Sequence, residues 1–240
     1  MTVTIVGVIP AAGHALRLQP LMGSKEMLAV RGKPVVDYLV ERMRAGGCTT
    51  LRIVTRPEKS DLITHAEEIG AEIVLARPAT VSESFLAGMV GLTSGAIALI
   101  GFPDTIWEPV DGYRPLVAAV QDGADVGLGL FRIAVSDLAR SDVVVFGESG
   151  CIEGVDVKPA KPQSEWIWGC AAARVETWAG LHRAEWPGGY IDLLCREGHD
   201  VRGFELSDSW LDIGTKAALR RITAYADLSS SWPSVPPRSP

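Results

Sequence analysis

The fold of this chain is decided near its start by Val3-Thr4-Ile5-Val6-Gly7-Val8-Ile9-Pro10, which is followed by Ala11-Ala12-Gly13. A continuous apolar run of this kind is typical of a strand that is covered on both faces. The loop after it carries Arg17 and Lys25, and it is long for a connection inside a compact domain. Glycine lets backbone N–H groups approach an anion closely, and the arginine and lysine add a planar fork and a mobile point charge. The segment therefore predicts a polyphosphate site at the end of a buried strand.

Apolar runs alternate with amphipathic stretches through the first half of the chain, which predicts an α/β fold. Predicted strands lie at residues 3–9, 51–55, 72–75 and 96–101, and predicted helices lie at residues 34–45, 59–69 and 82–92. Pro34 suits a first helical turn, and Gly46-Gly47 suit a helix end. This order favours a Rossmann-like, doubly wound, mostly parallel sheet, in which ligands bind beyond the carboxyl ends of the strands.

The second half is richer in strands, so the complete sheet is expected to be mixed. Predicted strands lie at residues 126–133, 143–146, 152–157 and 167–173, with Glu148-Ser149-Gly150 as a hairpin turn. Helices are predicted at residues 175–181, 191–197 and 216–225. The Ser- and Pro-rich end, residues 229–240, has the composition of a disordered tail.

Charge and composition restrict the class of ligand. The 240 residues carry a formal charge of −6 and are 47% apolar, and no run of Lys and Arg marks a nucleic-acid surface. Within this acidic chain, the segment Gly13–Lys33 is locally basic, with Arg17, Lys25, Arg31 and Lys33 opposed by Glu26 alone. We therefore expect a small anionic ligand and no nucleic-acid polymer.

The sequence also bears on location. The apolar run at residues 3–10 lacks a preceding basic region and is too short to cross a bilayer, so neither a secretory signal nor a membrane partner is expected. The four cysteines are Cys48, Cys151, Cys170 and Cys195, and their spacing is not that of a metal site. Free thiols in a reducing cytoplasm are the expectation.

Three further motifs carry charged side chains: two follow predicted strands, and the third precedes a predicted helix. Asp104 ends Gly101-Phe102-Pro103-Asp104, Lys158 stands in Val157-Lys158-Pro159, and Asp212 stands in Trp210-Leu211-Asp212-Ile213-Gly214-Thr215. A carboxylate past a buried strand is suited to hold Mg²⁺ on bound phosphates, and two such aspartates can share one ion. Taken singly, each aspartate is also explained as a helix or turn cap, and Lys158 as an ordinary strand-end lysine.

Taken together and in order, these motifs resemble those of the sugar-1-phosphate nucleotidyltransferases. The opening signature is carried by Val8-Ile9-Pro10-Ala11-Ala12-Gly13, Arg17, Pro20 and Lys25-Glu26-Met27-Leu28. The family then has a strand-end Asp, a Glu-Lys-Pro strand end and Trp-Leu-Asp-Thr-Gly-Thr. The resemblance extends over about residues 3–225 and implies a single domain at 1–228, with an NTP-binding half at 1–125 and an acceptor-binding half at 126–228.

The resemblance implies a role for each matching position. Arg17 and Lys25 would grip a nucleoside triphosphate, Asp104 and Asp212 would hold Mg²⁺, and Lys158 would hold the phosphate of a sugar 1-phosphate. The remaining positions implied are Ala11, Ala12, Gly13, Thr80 and Ser82 for the nucleotide, and Val157 and Gly169 for the acceptor. The acceptor oxygen would attack the α-phosphorus in line and expel pyrophosphate, without a general base, because that oxygen is already ionised. Homo-oligomer formation is left open.

The chain departs from the family pattern at three places. Ala15 and Leu16 replace a glycine and a threonine of the signature loop, and Thr80-Val81-Ser82 replaces the Gly-Leu of the base-reading segment. Val157 replaces the glutamate that contacts a sugar hydroxyl. Two alternatives follow: a cytidylyltransferase that uses a phosphonate or an alcohol phosphate, and a degenerate nucleotide-binding regulatory protein.

Overall fold

The computed structural model describes residues 3–14, residue 21 and residues 23–214. Arg17, the predicted helix at residues 216–225 and the predicted tail at residues 229–240 lie outside the described residues. The division of the chain at residue 125 stays a prediction.

The described residues form thirteen strands and seven α-helices, whose bounds place the site. The strands are β1 (Ile5–Pro10), β2 (Ala29–Val30), β3 (Lys33–Pro34), β4 (Thr50–Thr55), β5 (Glu72–Leu75), β6 (Ile97–Gly101), β7 (Thr105–Trp107), β8 (Val126–Arg132), β9 (Asp142–Phe146), β10 (Ile152–Val157), β11 (Trp166–Arg174), β12 (Val201–Ser207) and β13 (Trp210–Asp212). The helices are α1 (Val35–Ala45), α2 (Ser60–Glu68), α3 (Val81–Met89), α4 (Tyr113–Gln121), α5 (Val135–Leu138), α6 (Val175–Trp178) and α7 (Pro187–Arg196). Short 3₁₀ turns lie at Lys25–Met27 and Ala179–Arg183.

Nine of the described strands form one mixed sheet, as predicted. Its main path runs β5-β4-β1-β6-β11-β9-β10, and β8 pairs with β11 and with β12. Strands β5, β4, β1 and β6 run parallel to one another, whereas β11 is antiparallel to β6, β8 and β9. The parallel part brings the ends of β1, β4 and β6 to one edge, where the loop after β1 and Asp104 both begin.

The sheet is covered on both faces, which explains why β1 is apolar without alternation. Ile9 faces one hydrophobic cluster, which contains Leu39 of α1 and Leu116 of α4. Val8 faces a second cluster on the opposite side, with Phe85 of α3 among its members. Burial of both faces of a parallel strand removes the alternation that a half-exposed strand would show.

The sequence located most of the main elements but missed two of them and several short ones. The predicted strands at residues 72–75 and 152–157 are found with the same bounds, and the other predicted strands are found with shifted ends. The predicted helix at residues 175–181 divides into α6 and a 3₁₀ turn, and Pro34 is the N-cap of α1 rather than its first residue. The pattern missed the main-sheet strand β12 and the helix α4, and the short elements β2, β3, β7, β13 and α5. Three-residue strands such as β7 and β13 are too short to show a period.

Candidate active site

A cleft of about 610 Å³ opens at the carboxyl edge of the parallel strands. Its walls come from both halves of the chain, as is usual for ligand sites in doubly wound folds. The predicted residues that line it are Ala12, Gly13, Lys25, Thr80, Asp104, Lys158 and Asp212. Thr80 is the N-cap of α3, and its hydroxyl oxygen accepts a hydrogen bond from the Glu83 N–H at 3.1 Å.

Lys25 and Asp104 form an ion pair inside this cleft. The Lys25 Nζ lies 2.7 Å from Asp104 Oδ2, and each side chain is less than one fifth exposed. Burial alone would lower the pKa of Lys25, but the negative charges of Asp104, Glu26 and Asp212 outweigh it and raise the pKa. Lys25 therefore remains a cation, held where the two aspartates of the sequence motifs meet.

The structure brings Asp104 and Asp212 together through the pairing of β7 with β13. Asp212 is the register partner of Thr105, and the Ile213 N–H donates to the Asp104 carbonyl oxygen at 2.9 Å. A β-carbon placed on Gly214 would lie 2.9 Å from Asp212 Oδ1 and 3.4 Å from Asp104 Oδ2. The two carboxylates thus face one small volume, which a side chain at Gly214 would fill.

This pair of carboxylates suits a hard divalent cation that is shared with a substrate. Among residues 3–14, 21 and 23–214, no group of three or more His, Cys, Asp or Glu side chains could hold a metal alone. Mg²⁺ is commonly bound by one or two carboxylates together with phosphate oxygens and water. The donor set of Asp104 and Asp212 therefore fits Mg²⁺ when phosphate oxygens complete the coordination.

Two cations beyond β4, which the motif analysis missed, hold the backbone of the opening signature. The Lys59 ammonium donates to the Ala11 carbonyl oxygen, and the Arg56 Nε donates to the Ala12 carbonyl oxygen, both at 2.6 Å. Both residues follow the carboxyl end of β4, the parallel neighbour of β1. That placement is the signal that could have found them, since adjacent parallel strands end at the same edge.

Lys59 also neutralises a fully buried acid. Its ammonium lies 2.8 Å from Glu26 Oε2, and the Glu26 side chain is 0% exposed. Burial raises the pKa of Glu26, although Lys59 and Lys25 both act to lower it. The Lys-Glu pair of the sequence signature thus points in two directions, with Lys25 in the cleft and Glu26 anchored behind it.

The far side of the cleft is more aromatic. Lys158 has a left-handed backbone, with φ of 48°, and its ammonium lies 3.3 Å from the ring centroid of Trp186. Trp168 packs against Phe102, with ring centroids 5.4 Å apart. Trp168 is 3% exposed and also lines the cleft.

Asp142 also lies on this side of the cleft, and it is not among the site residues predicted from the sequence. It lies at the first position of β9 and lines the cleft near Lys158. Burial raises the pKa of Asp142 to about 6, although the charge of Lys158 and the indole N–H of Trp168 act to lower it. Burial therefore disfavours the ionised form of the Asp142 carboxylate, which makes it a costly group to place here.

Four predicted site residues do not line the cleft. Ala11 is buried within the backbone ladder, where its N–H donates to Val54. Ser82 is 1% exposed inside α3, so Ser84 reaches the cleft in its place. Gly169 lies beneath the Trp210 ring, and Val157 is 37% exposed outside the cleft. Contact of these four residues with a ligand stays a prediction, and Arg17 lies outside the described residues.

Two general features accompany the site. In the part of the chain that the structure describes, no helix is long and apolar enough to cross a membrane. All four cysteines are free thiols.

Comparison with known proteins places this architecture in a class. The fold is similar to that of a Bacillus anthracis protein assigned as a glucose-1-phosphate thymidylyltransferase, with a TM-score of 0.77 at 20% identity, over 95% of this chain and 98% of that one. It is also similar to a UDP-glucose pyrophosphorylase from Acinetobacter baumanii, with a TM-score of 0.75 at 15% identity, over 93% of each chain. The predicted fold class, that of the nucleotide-diphospho-sugar transferases, is confirmed.

The sequence comparisons give the family. Residues 7–132 match the MobA-like NTP transferase domain, and the chain belongs to that family. A glucose-1-phosphate thymidylyltransferase from Actinoplanes sp. is 28% identical over 91% of this chain and 77% of its own length. One from Neisseria gonorrhoeae is also 28% identical, over 67% of this chain, which spans 58% of that relative. The predicted resemblance to sugar-1-phosphate nucleotidyltransferases and the predicted enzyme class are confirmed.

Proposed function

We propose that this protein joins a nucleoside triphosphate to a sugar 1-phosphate, giving an NDP-sugar and pyrophosphate. The observation that carries the proposal is the convergence of Lys25, Asp104 and Asp212 in one cleft, beside the loop that follows β1. The relatives described as glucose-1-phosphate thymidylyltransferases support the same reaction.

The residues on the nucleotide side act by charge and position. Lys25, with Arg17 of the same loop, neutralises triphosphate oxygens, and the backbone of Ala12-Gly13 approaches them without a large side chain. Two polyanions must be brought together against their repulsion, so fixed cations contribute most where charge develops on the α-phosphate.

The residues on the acceptor side orient the attacking group. Lys158 holds the acceptor phosphate, and its contact with Trp186 fixes the ammonium in the cleft before the substrate arrives. The attacking oxygen carries its own negative charge, so a general base is not required. When bound by Asp104 and Asp212, Mg²⁺ supplies neutralisation of the triphosphate charge.

One observation supports a second class of acceptor. Val157, at the position where the resembled family has a glutamate, has no polar side-chain atom and does not line the cleft. A cytidylyltransferase that uses a phosphonate or an alcohol phosphate would not need that carboxylate. The nucleotide half of the mechanism is the same in both cases.

The test is release of pyrophosphate by the purified protein with each of the common NTPs. Hexose 1-phosphates, a phosphonate and an alcohol phosphate serve as acceptors, each assayed with Mg²⁺ and with excess chelator. We expect Mg²⁺-dependent release with at least one NTP and a hexose 1-phosphate. Turnover confined to the phosphonate or alcohol phosphate would select the second class, and folded protein without turnover would contradict both.

The ligands and the location follow from this chemistry. Free thiols at all four cysteines and a triphosphate substrate support a cytoplasmic enzyme. Small phosphorylated molecules, and no nucleic-acid polymer or membrane, are the partners we propose.

A further inference from the structure

The acceptor side of the cleft contains a carboxylate that the reaction described above does not use. Asp142, at the start of β9, is the cross-strand partner of Val157, at the end of β10. Directly opposite residues of an antiparallel pair share one face of the sheet and lie close together. Val157 offers no hydrogen-bonding group, whereas Asp142 presents a carboxylate to the cleft.

The surroundings of Asp142 are shaped to admit this carboxylate. Gly188, in the first turn of α7, lies so close that a β-carbon there would collide with Asp142 Oδ2. The same β-carbon would lie 3.0 Å from the indole nitrogen of Trp168. That buried N–H lacks a hydrogen bond of normal geometry within the described part of the chain, so the carboxylate and the indole share a pocket that glycine keeps open.

The nearby charges restrict which ligand groups can bind to the Asp142 carboxylate. The positive charge of Lys158 acts on Asp142, and Arg140 also lines the cleft. A cationic ligand group would be repelled by both, whereas a neutral hydroxyl donates to a carboxylate without that penalty. The aromatic residues Phe102 and Trp168 form an apolar wall beside it, which suits the carbon face of a sugar ring.

We infer that Asp142 accepts a hydrogen bond from a ring hydroxyl of the acceptor and thereby determines acceptor specificity. The inference rests on the proposed function, because it concerns the acceptor of that reaction. In this arrangement Lys158 holds the phosphate, and Asp142 distinguishes a sugar phosphate from a simple alkyl phosphate.

The inference is tested by acceptor binding to the full-length protein, which does not require turnover. Calorimetry compares glucose 1-phosphate, galactose 1-phosphate and ethyl phosphate, in the presence of Mg²⁺ and a non-hydrolysable NTP. The variants are Asp142→Ala and Asp142→Asn, with circular dichroism as the check of folding. Asp156→Ala is the matched control, because Asp156 precedes Val157 on the neighbouring strand β10 and does not line the cleft.

We expect the wild type and Asp156→Ala to bind one hexose phosphate about 10- to 100-fold more tightly than ethyl phosphate, the range for a hydrogen bond to a charged group. Asp142→Ala should lose this preference and keep its affinity for ethyl phosphate, and Asp142→Asn should lose most of it. A preference that survives in folded Asp142→Ala, or a wild type without one, would overturn the inference.

The same samples separate this inference from the proposed function. If pyrophosphate is released but the Asp142 variants keep the hexose preference, only the inference fails. If the preference depends on Asp142 but no NTP yields pyrophosphate, the inference stands for binding and the proposed reaction fails.

Discussion

The two sides of the cleft are built differently. On the nucleotide side, charged groups are already paired with one another: Lys25 with Asp104, and Lys59 with buried Glu26. On the acceptor side, Lys158 lies over an aromatic ring, and Asp142 is a desolvated acid. The nucleotide side therefore has a rigid ionic framework suited to a constant ligand, a triphosphate. The acceptor side holds a few costly polar groups against aromatic walls, as selection among similar ligands requires.

The largest expected effect comes from a substitution on the nucleotide side of the cleft. Asp104→Asn removes the carboxylate shared by Lys25 and the proposed Mg²⁺ site, so pyrophosphate release should fall by about 10³-fold or more. Steady-state turnover at saturating substrates measures this loss. Asp111→Asn, at an exposed position outside the cleft, serves as control and should keep wild-type turnover. Equal losses in both variants would show that Asp104 has no specific role in catalysis.

The framework itself is tested by Lys59→Met. This change leaves Glu26 buried without its partner and frees the Ala11 carbonyl oxygen, so the free energy of unfolding should fall by about 3–5 kcal/mol. Urea denaturation measures the loss. Adding Glu26→Gln should restore part of the stability, because the unpaired charge is then gone.

Lys33→Met is the matched control, since the Lys33–Glu41 pair has a similar separation, 2.7 Å against 2.8 Å, but is partly exposed. Its cost should be below about 1 kcal/mol. An equal loss from Lys33→Met and Lys59→Met would show that burial of the Lys59–Glu26 pair is not what matters.

Lys158→Met sharpens the contrast between the two sides. Loss of the proposed phosphate contact should raise the KM for the acceptor about 10- to 100-fold and leave the KM for the NTP unchanged. Initial rates with each substrate varied in turn separate the two constants. Lys161→Met, at an exposed lysine three residues further along, should change neither. A rise in the KM for the NTP alone would show that Lys158 contacts the NTP and not the acceptor.

The smallest effect concerns the stability cost of the acceptor side. The native state binds the Asp142 proton more tightly than the unfolded chain does, because its pKa is raised from 3.8 to about 6. Asp142 therefore favours folding most at low pH, and this contribution is lost as the pH rises through about 6.

Asp142→Asn removes the charge that is costly above that pH. The variant should be more stable than wild type by about 1–3 kcal/mol at pH 8, and the gain should vanish below about pH 4. Urea denaturation at both pH values measures it, with Asp156→Asn as the control that should show no pH-dependent gain. A destabilised Asp142→Asn at pH 8 would contradict the desolvation cost.

The sequence could predict the parts of the molecule that depend on local pattern. The apolar run of β1 and the strands before Asp104 and Lys158 can be identified from the sequence, so most of the main sheet and these parts of the cleft followed from them. Asp142 could not be found in this way, because its significance depends on the register that sets it opposite Val157. The encounter of Asp104 with Asp212 likewise depends on β7 and β13, each too short to be recognised in isolation.

The central claim, that this cleft transfers a nucleotidyl group, is tested most directly by following the α-phosphate. An NTP labelled at that position is incubated with Mg²⁺ and a hexose 1-phosphate, and the labelled products are separated. The account predicts that the label moves into an NDP-sugar with the wild type and remains in the NTP with Asp104→Asn. Label recovered only in the nucleoside monophosphate, or a product formed equally well by Asp104→Asn, would contradict it.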